Sequence, residues 1–106
     1  MSQPDPAAVF AALGDRTRLA LLLRLAAGSA LSIAALSTDT GITRQAVTKH
    51  LRVLEDVGLV ERERSGRESR YGYRPDQVAA MRDYLNGVAA QWDGALARLK
   101  SFVEAD

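Results

Sequence analysis

A mainly α-helical single domain with one small β-hairpin and a long closing helix is the fold class that the sequence predicts, on three observations. Apolar residues recur at helical spacing along most of the chain. Residues 59–74, LVERERSGRESRYGYR, alternate instead, as a strand pair does. From Val78 to Phe102 an apolar residue then returns every three or four positions without a break. At 106 residues the chain has material for one core, burying about 65% of the surface of its extended form.

The elements follow in order. Pro6 to Leu13 reads as a short helix showing Val9, Phe10 and Leu13 and ended by Gly14. Asp15 caps a second helix through Ala27, because its carboxylate accepts the free N–H groups of the first turn and Gly28 suits the left-handed exit. Leu19, Leu22, Leu23 and Ala26 keep the helical period, and Leu21 and Leu25 make the other side apolar as well. This helix is therefore expected to be central and mostly buried. Ser32 caps a third helix, Ile33 to about Asp39, and Thr43 caps a fourth, with Thr40, Gly41 and Ile42 between them. Two helices joined by three or four residues that include a glycine have helix-turn-helix spacing, although other helical hairpins share it.

The helix from Arg44 to Val57 is the most informative segment. With Arg44 at zero and about 100° per residue, Arg44, Gln45, Thr48, Lys49, Arg52, Glu55 and Asp56 occupy one half of the wheel. Ala46, Val47, His50, Leu51, Val53, Leu54 and Val57 occupy the other. The division alone implies only packing. The polar half adds function, because its bases stand at the front of the helix and its acids at the back. The helix dipole favours the opposite order. Such a conflict is expected where a partner dictates the residues, and the partner best served by basic and amide groups at the front of a helix is duplex DNA.

In the alternating stretch, Glu61 and Glu63 lie on one side of a strand and Arg62 and Arg64 on the other. After the SGRE turn, Ser69, Tyr71 and Tyr73 share a side opposite Arg70 and Arg74. A hairpin directly after a helix-turn-helix makes the winged variant, here with Arg64, Arg67 and Arg70 flanking its tip. Tyr71, Tyr73, Leu59 and Val60 are expected to anchor it, since an isolated hairpin is marginal in water. Pro75 and Asp76 then open a helix over residues 76–104, roughly 43 Å long. Its seam is Val78, Met81, Leu85, Val88, Trp92, Ala95, Leu99 and Phe102, weakened locally by Gly87 and Gly94. A rod of that length overhangs a winged domain about 25–30 Å across, so its apolar seam asks for a second copy of the chain.

Composition excludes several functions. The absence of cysteine removes disulfides, thiolate metal sites, thiol catalysis and redox sensing together. With one His on an apolar face and no phosphate-cradling glycine loop, nothing supplies a nucleophile, base and orienter, and no enzyme is expected. The longest nearly apolar run, Leu19 to Ala27, is interrupted by Arg24 and falls short of the ~20 residues of a membrane span, so no membrane partner is expected. The start, MSQPDP, has neither a basic region nor a long apolar core, and a cytoplasmic location is expected. Lys and Arg total 14 against 13 acids, yet residues 43–74 hold eight bases and five acids, the local excess of a phosphate-contacting surface. A solvated face would carry the same excess.

From FAALGDRTRLALLLRLAAG through GITRQAVTKHLRVLEDVGLVERERSGRESRYGYR, Phe10 to Arg74, the sequence resembles the ArsR family of bacterial winged helix-turn-helix transcriptional regulators. The ALGDRTRL start, the KHLRVLEDVGLV core and the GR…Y wing stand in the right order, and the match covers about three fifths of the chain. The resemblance implies a winged helix-turn-helix fold that dimerises through its first and last helices. It also implies repression by operator occupancy, relieved by an inducer. It divides residues 1–106 into a DNA-binding core, 15–74, and dimerisation helices in 1–14 and 75–106. Thr43 would cap the recognition helix and hold a phosphate. Arg44, Gln45, Thr48 and Lys49 would face the major groove, Arg52 would sit nearer the backbone, and Arg67 at the wing tip. The dimer interface would comprise Val9, Phe10, Leu13, Val78, Met81, Leu85, Val88, Trp92, Leu99 and Phe102.

The chain departs from the family where many members sense metals. The stretch ALSIAALSTD replaces their cysteines and the last helix has no His, so no metal or other cofactor is expected. His50 matches the family's KHL position and reads as a satisfied core or hinge residue. The partners expected are double-stranded DNA and a second copy. A small apolar effector is compatible with a dimer cleft lined by Phe10, Met81, Tyr84, Trp92 and the last helix, although the favoured reading is that these side chains simply fill the interface. The alternative function is a winged-helix protein-interaction module that grips another protein with its last helix.

Overall fold

Helix caps set the boundaries of the chain's elements. In the computed structural model, which describes residues 5–105, the order is α1 (Pro6–Leu13), α2 (Arg16–Ala26), β1 (Leu31–Ser32), α3 (Ile33–Thr40), α4 (Arg44–Asp56), β2 (Val60–Ser65), β3 (Glu68–Tyr73) and α5 (Pro75–Glu104). Residues 1–4, on which the reading of the leader rests, and residue 106 lie outside the described residues. Asp5, Asp15, Ser32 and Thr43 each accept a backbone N–H of the helix they open, at 2.9–3.1 Å. Pro75 opens α5, where its missing N–H costs nothing. Gly41 closes α3 at φ 72°, a conformation that L side chains resist, and its N–H donates to the Ser37 carbonyl. The left-handed exit expected at Gly28 is not formed: α2 ends at Ala26, and Ala27 caps it in the right-handed conformation at φ -80°, its N–H donating to the Leu23 carbonyl.

The mainly α winged helix-turn-helix fold is as the sequence predicts, with one addition. Leu31 and Ser32 form β1, which pairs antiparallel with β3 opposite Tyr71 and Arg70, giving a three-stranded sheet of order β1-β3-β2. Two residues make too short a strand to leave a periodic signal. The β2–β3 hairpin turns over Gly66 and Arg67, with Gly66 at φ 65°.

Leu21 and Leu25 of α2, Leu36 of α3, Val47, Leu51 and Leu54 of α4, and Leu59 and Val60 at the root of the hairpin form the core, with Tyr71 over it. Three expectations need correction. α2 is not mostly buried: its outer face leaves Leu19 and Leu23 40% and 60% exposed, because α4 and β3 cover only one side. Val9 is fully buried, since α1 turns Val9 and Ala12 onto α2 and α4, so Val9 is core and not interface. Met81 is likewise core, lying where α5 still rests on the domain.

Beyond Met81 most of the seam is open to solvent, with Val88 and Ala95 half-buried. Leu85, Trp92, Leu99 and Phe102 are exposed, Trp92 at 65% and Phe102 at 81%. The 30-residue α5 is about 45 Å long, and the molecule measures 71 × 31 × 21 Å. Its radius of gyration is 18.7 Å, where a compact chain of this length has about 13 Å.

Candidate nucleic-acid interface

The fourth helix owes its orientation to its apolar half. Val47, Leu51 and Leu54 are buried, with Ala46, His50 and Val57 partly so, and this turns the opposite face outward. On that face Arg44, Gln45, Thr48, Lys49 and Arg52 line one open hollow of about 430 Å³. The sequence therefore named the side chains that the fold brings together here. Thr43 stands at the same end of α4, its Oγ1 accepting the Ala46 N–H at 3.1 Å. The Thr48 hydroxyl donates back to the Arg44 carbonyl at 2.8 Å, which leaves its methyl and lone pairs to face a partner.

Charge distribution distinguishes this face further. Arg24, Arg70, Arg74 and Arg82 are engaged with carboxylates. Among the described residues ten cations form no ion pair, and six of them, Arg44, Lys49, Arg52, Arg62, Arg64 and Arg67, lie on α4 and the wing, the others being Arg16, Arg18, Arg98 and Lys100. Unpaired cations on one surface are what a polyanion requires.

The wing sorts its charges by strand register. Val60 pairs with Tyr73, Arg62 with Tyr71 and Arg64 with Ser69, and directly paired residues share a face. That face carries buried Val60 and Tyr71 at its root and Arg62 and Arg64 toward its tip. Glu61, Glu63, Glu68 and Arg70 occupy the other face, where Arg70 meets Glu68 at 3.3 Å. Arg64 thus stands on the basic face and Arg67 in the turn, whereas Arg70 stands on the opposite face and is paired with Glu68. Arg62 was not among the residues expected to contact a partner, although the alternation of 61–64 already placed it beside Arg64.

Of the remaining expected interface residues, Phe10, Leu13 and Val88 are half-buried and Val78 is 36% exposed. The Phe10 and Tyr84 rings meet at a centroid distance of 6.2 Å. Leu96 and Val103, which the heptad reading omitted, are exposed and fall within the same sector, about 120° wide, as the seam itself. A hollow of about 330 Å³ is lined by Gln91, Trp92 and Ala95, all on α5. Among the described residues no group of three or more His, Asp or Glu side chains converges, and no helix is long and apolar enough to cross a membrane.

Residues 1–63 match the family model described as a helix-turn-helix domain. An HTH-type transcriptional regulator of Mycobacterium tuberculosis is 33% identical over 102 residues, covering 96% of this chain and 92% of its own. The structure of an ArsR-like transcriptional regulator from Rhodococcus sp. RHA1 superposes with a TM-score of 0.85 at 38% identity, over 95% of this chain and 94% of that one. The chain belongs to the ArsR family of helix-turn-helix transcriptional regulators. A homodimeric winged helix-turn-helix DNA-binding domain from Mycobacterium bovis is also similar, with a TM-score of 0.64 and 32% identity over 80% of this chain and 78% of that one. As an ArsR-type protein, the chain is a DNA-binding transcriptional regulator.

One polar link in this ArsR regulator was not legible in the sequence. Arg18 of α2 donates through Nε to the Ala12 carbonyl at 2.8 Å and through one terminal nitrogen to the Ala11 carbonyl at 3.4 Å. Its other terminal nitrogen lies 3.4 Å from Nδ1 of His50. The guanidinium has only donors, so Nδ1 is the acceptor. Beside this link, the Asp15 carboxyl is held below its ordinary range, chiefly by the backbone N–H of Arg18 and then by the nearby Arg18 guanidinium, against an opposing effect of burial.

Proposed function

We propose that the chain is a homodimeric repressor that occupies an inverted-repeat operator. Thr43 contacts a phosphate at the front of α4. Arg44, Gln45, Thr48 and Lys49 face base edges in the major groove, and Arg52 meets the backbone. Arginine and lysine bind guanine, and glutamine binds adenine, through paired hydrogen bonds. Arg64 and Arg67 of the wing reach the backbone or minor groove, joined by Arg62 and without Arg70. The observation that carries this reading is the single unpaired basic and amide face of α4.

The flanking helices hold two copies together. Phe10, Leu13, Val78, Leu85, Val88, Trp92, Leu99 and Phe102 supply the contact, with Leu96 and Val103 beside them. The support is a radius of gyration of 18.7 Å against about 13 Å for a compact chain, together with an apolar seam left open to water. The similar Mycobacterium bovis domain is homodimeric. A two-fold dimer sets its recognition helices on half-sites about 34 Å apart, one turn of duplex. Repression follows from occupancy, as is usual in the family.

The test is selection of bound fragments from a random duplex pool at physiological salt, with sedimentation of the same protein. Enrichment of a two-fold symmetric motif by a species of twice the 11.5 kDa chain mass supports the proposal. A monomer that enriches nothing, and instead binds another protein along α5, overturns it in favour of the protein-interaction module.

A further inference from the structure

We infer that Arg18 is a positioning residue for operator binding: its guanidinium ties the C-terminal carbonyls of α1 to His50 and so fixes the angle at which α4 presents its reading face. The inference rests on the proposal that α4 reads DNA.

Apolar contacts from Val47, Leu51 and Leu54 hold α4 against the core. Such contacts are non-directional, and they leave the helix free to roll by small angles. A roll of about 10° moves a side-chain tip about 6 Å from the helix axis by about 1 Å. That is enough to spoil a bidentate contact with a base. A directional bond limits the roll. Among the described residues, the Arg18–His50 contact is the one side-chain hydrogen bond that reaches α4 from another helix. His50 adjoins Lys49, so an error at the imidazole passes directly to the reading face.

The other end of the link is equally defined. The last carbonyls of a helix lack intrahelical partners, and Arg18 supplies donors to Ala11 and Ala12 near the end of α1. The Arg18 backbone N–H is itself fixed by the Asp15 carboxylate at 2.9 Å, which holds the stem of the side chain in place. One half-buried cation therefore keeps α1, α2 and α4 in a single arrangement.

The experiment is a double-mutant cycle on Arg18→Lys and His50→Leu, reading duplex affinity, melting temperature and dimer mass, with His50→Gln as the conservative variant. Arg18→Lys and His50→Leu are each expected to weaken binding of the selected duplex about tenfold, and together by no more than either alone. His50→Gln, which still offers an acceptor, restores affinity to within about threefold of the parent. Lower melting temperatures with unchanged affinity in the folded variants, or fully additive losses of affinity, overturn the inference. The two His50 variants leave the α1 carbonyls capped and keep the test open should Arg18→Lys not fold. Arg44→Ala with Lys49→Ala is the control. If that pair binds as the parent does, the reading by α4 falls; if it does not bind and His50→Leu does, only the role of Arg18 falls.

Discussion

Arg62 of β2 and Tyr71 of β3 are direct cross-strand partners, and this one pairing decides which charges of the wing share a face. Tyr71 is buried in the core, so the face it shares with Arg62 and Arg64 is the one that packs on the helices at its root. Glu61 and Glu63 are necessarily turned away. A wing with nearly balanced charge in sequence thereby has one face whose paired strands carry only bases. Replacing Arg62 or Arg64 by Ala is expected to flatten the dependence of log affinity on log salt by about 0.9 each, and replacing Arg70 to leave it unchanged. Fluorescence anisotropy across a salt series checks this, and equal effects of all three would contradict the face assignment.

On α4, the double replacement Arg44→Ala and Lys49→Ala should abolish operator binding while leaving helix content and dimer mass as they were. Neither side chain pairs with a carboxylate, so little folding stability depends on them. Circular dichroism, sedimentation and a band-shift titration on one preparation test it. Retained affinity would remove α4 as the reading element.

The exposed seam leads to a separate expectation. Glutamate at both Trp92 and Phe102 should convert the proposed dimer to particles of 11.5 kDa without unfolding the winged core, since neither side chain packs inside the protomer. Buried charge at an apolar interface is costly, and operator affinity should fall along with dimerisation. A dimer that survives both changes would place the interface elsewhere.

Acid should act on the start of α2. The Asp15 carboxyl is depressed in the folded chain, so its contribution to stability is complete above the unfolded value of about 3.9 and is lost as pH falls through the lower folded value. Asparagine at position 15 still caps the helix but does not titrate. The gap in melting temperature between the parent and Asp15→Asn should therefore be constant near neutrality and close at the acid end. A gap that persists below the carboxylate range would contradict this origin.

Inside the core, Leu51→Ala should cost about 3 kcal/mol, because a fully buried leucine leaves a cavity when truncated. Denaturant melts of this variant measure the loss, and a value under about 1 kcal/mol would mean that α4 is less firmly seated than its burial implies.

By itself the sequence determined the helices, their caps, the hairpin and the composition of the α4 face. Each of these depends on residues a few positions apart: Thr43 and Ala46, the period that unites Val47, Leu51 and Leu54, and the alternation from Glu61 to Arg64. Local spacing carries no information about which of two apolar faces finds a cover. Hence α2 read as mostly buried, although Leu19 and Leu23 are exposed, and Val9 and Met81 read as interface although they are core. Tertiary structure alone decided those faces, the pairing of β1 with β3, and the meeting of Arg18 with His50, 32 residues apart. Burial and long-range hydrogen bonds depend on what the whole chain brings together, and no window along the sequence contains both partners.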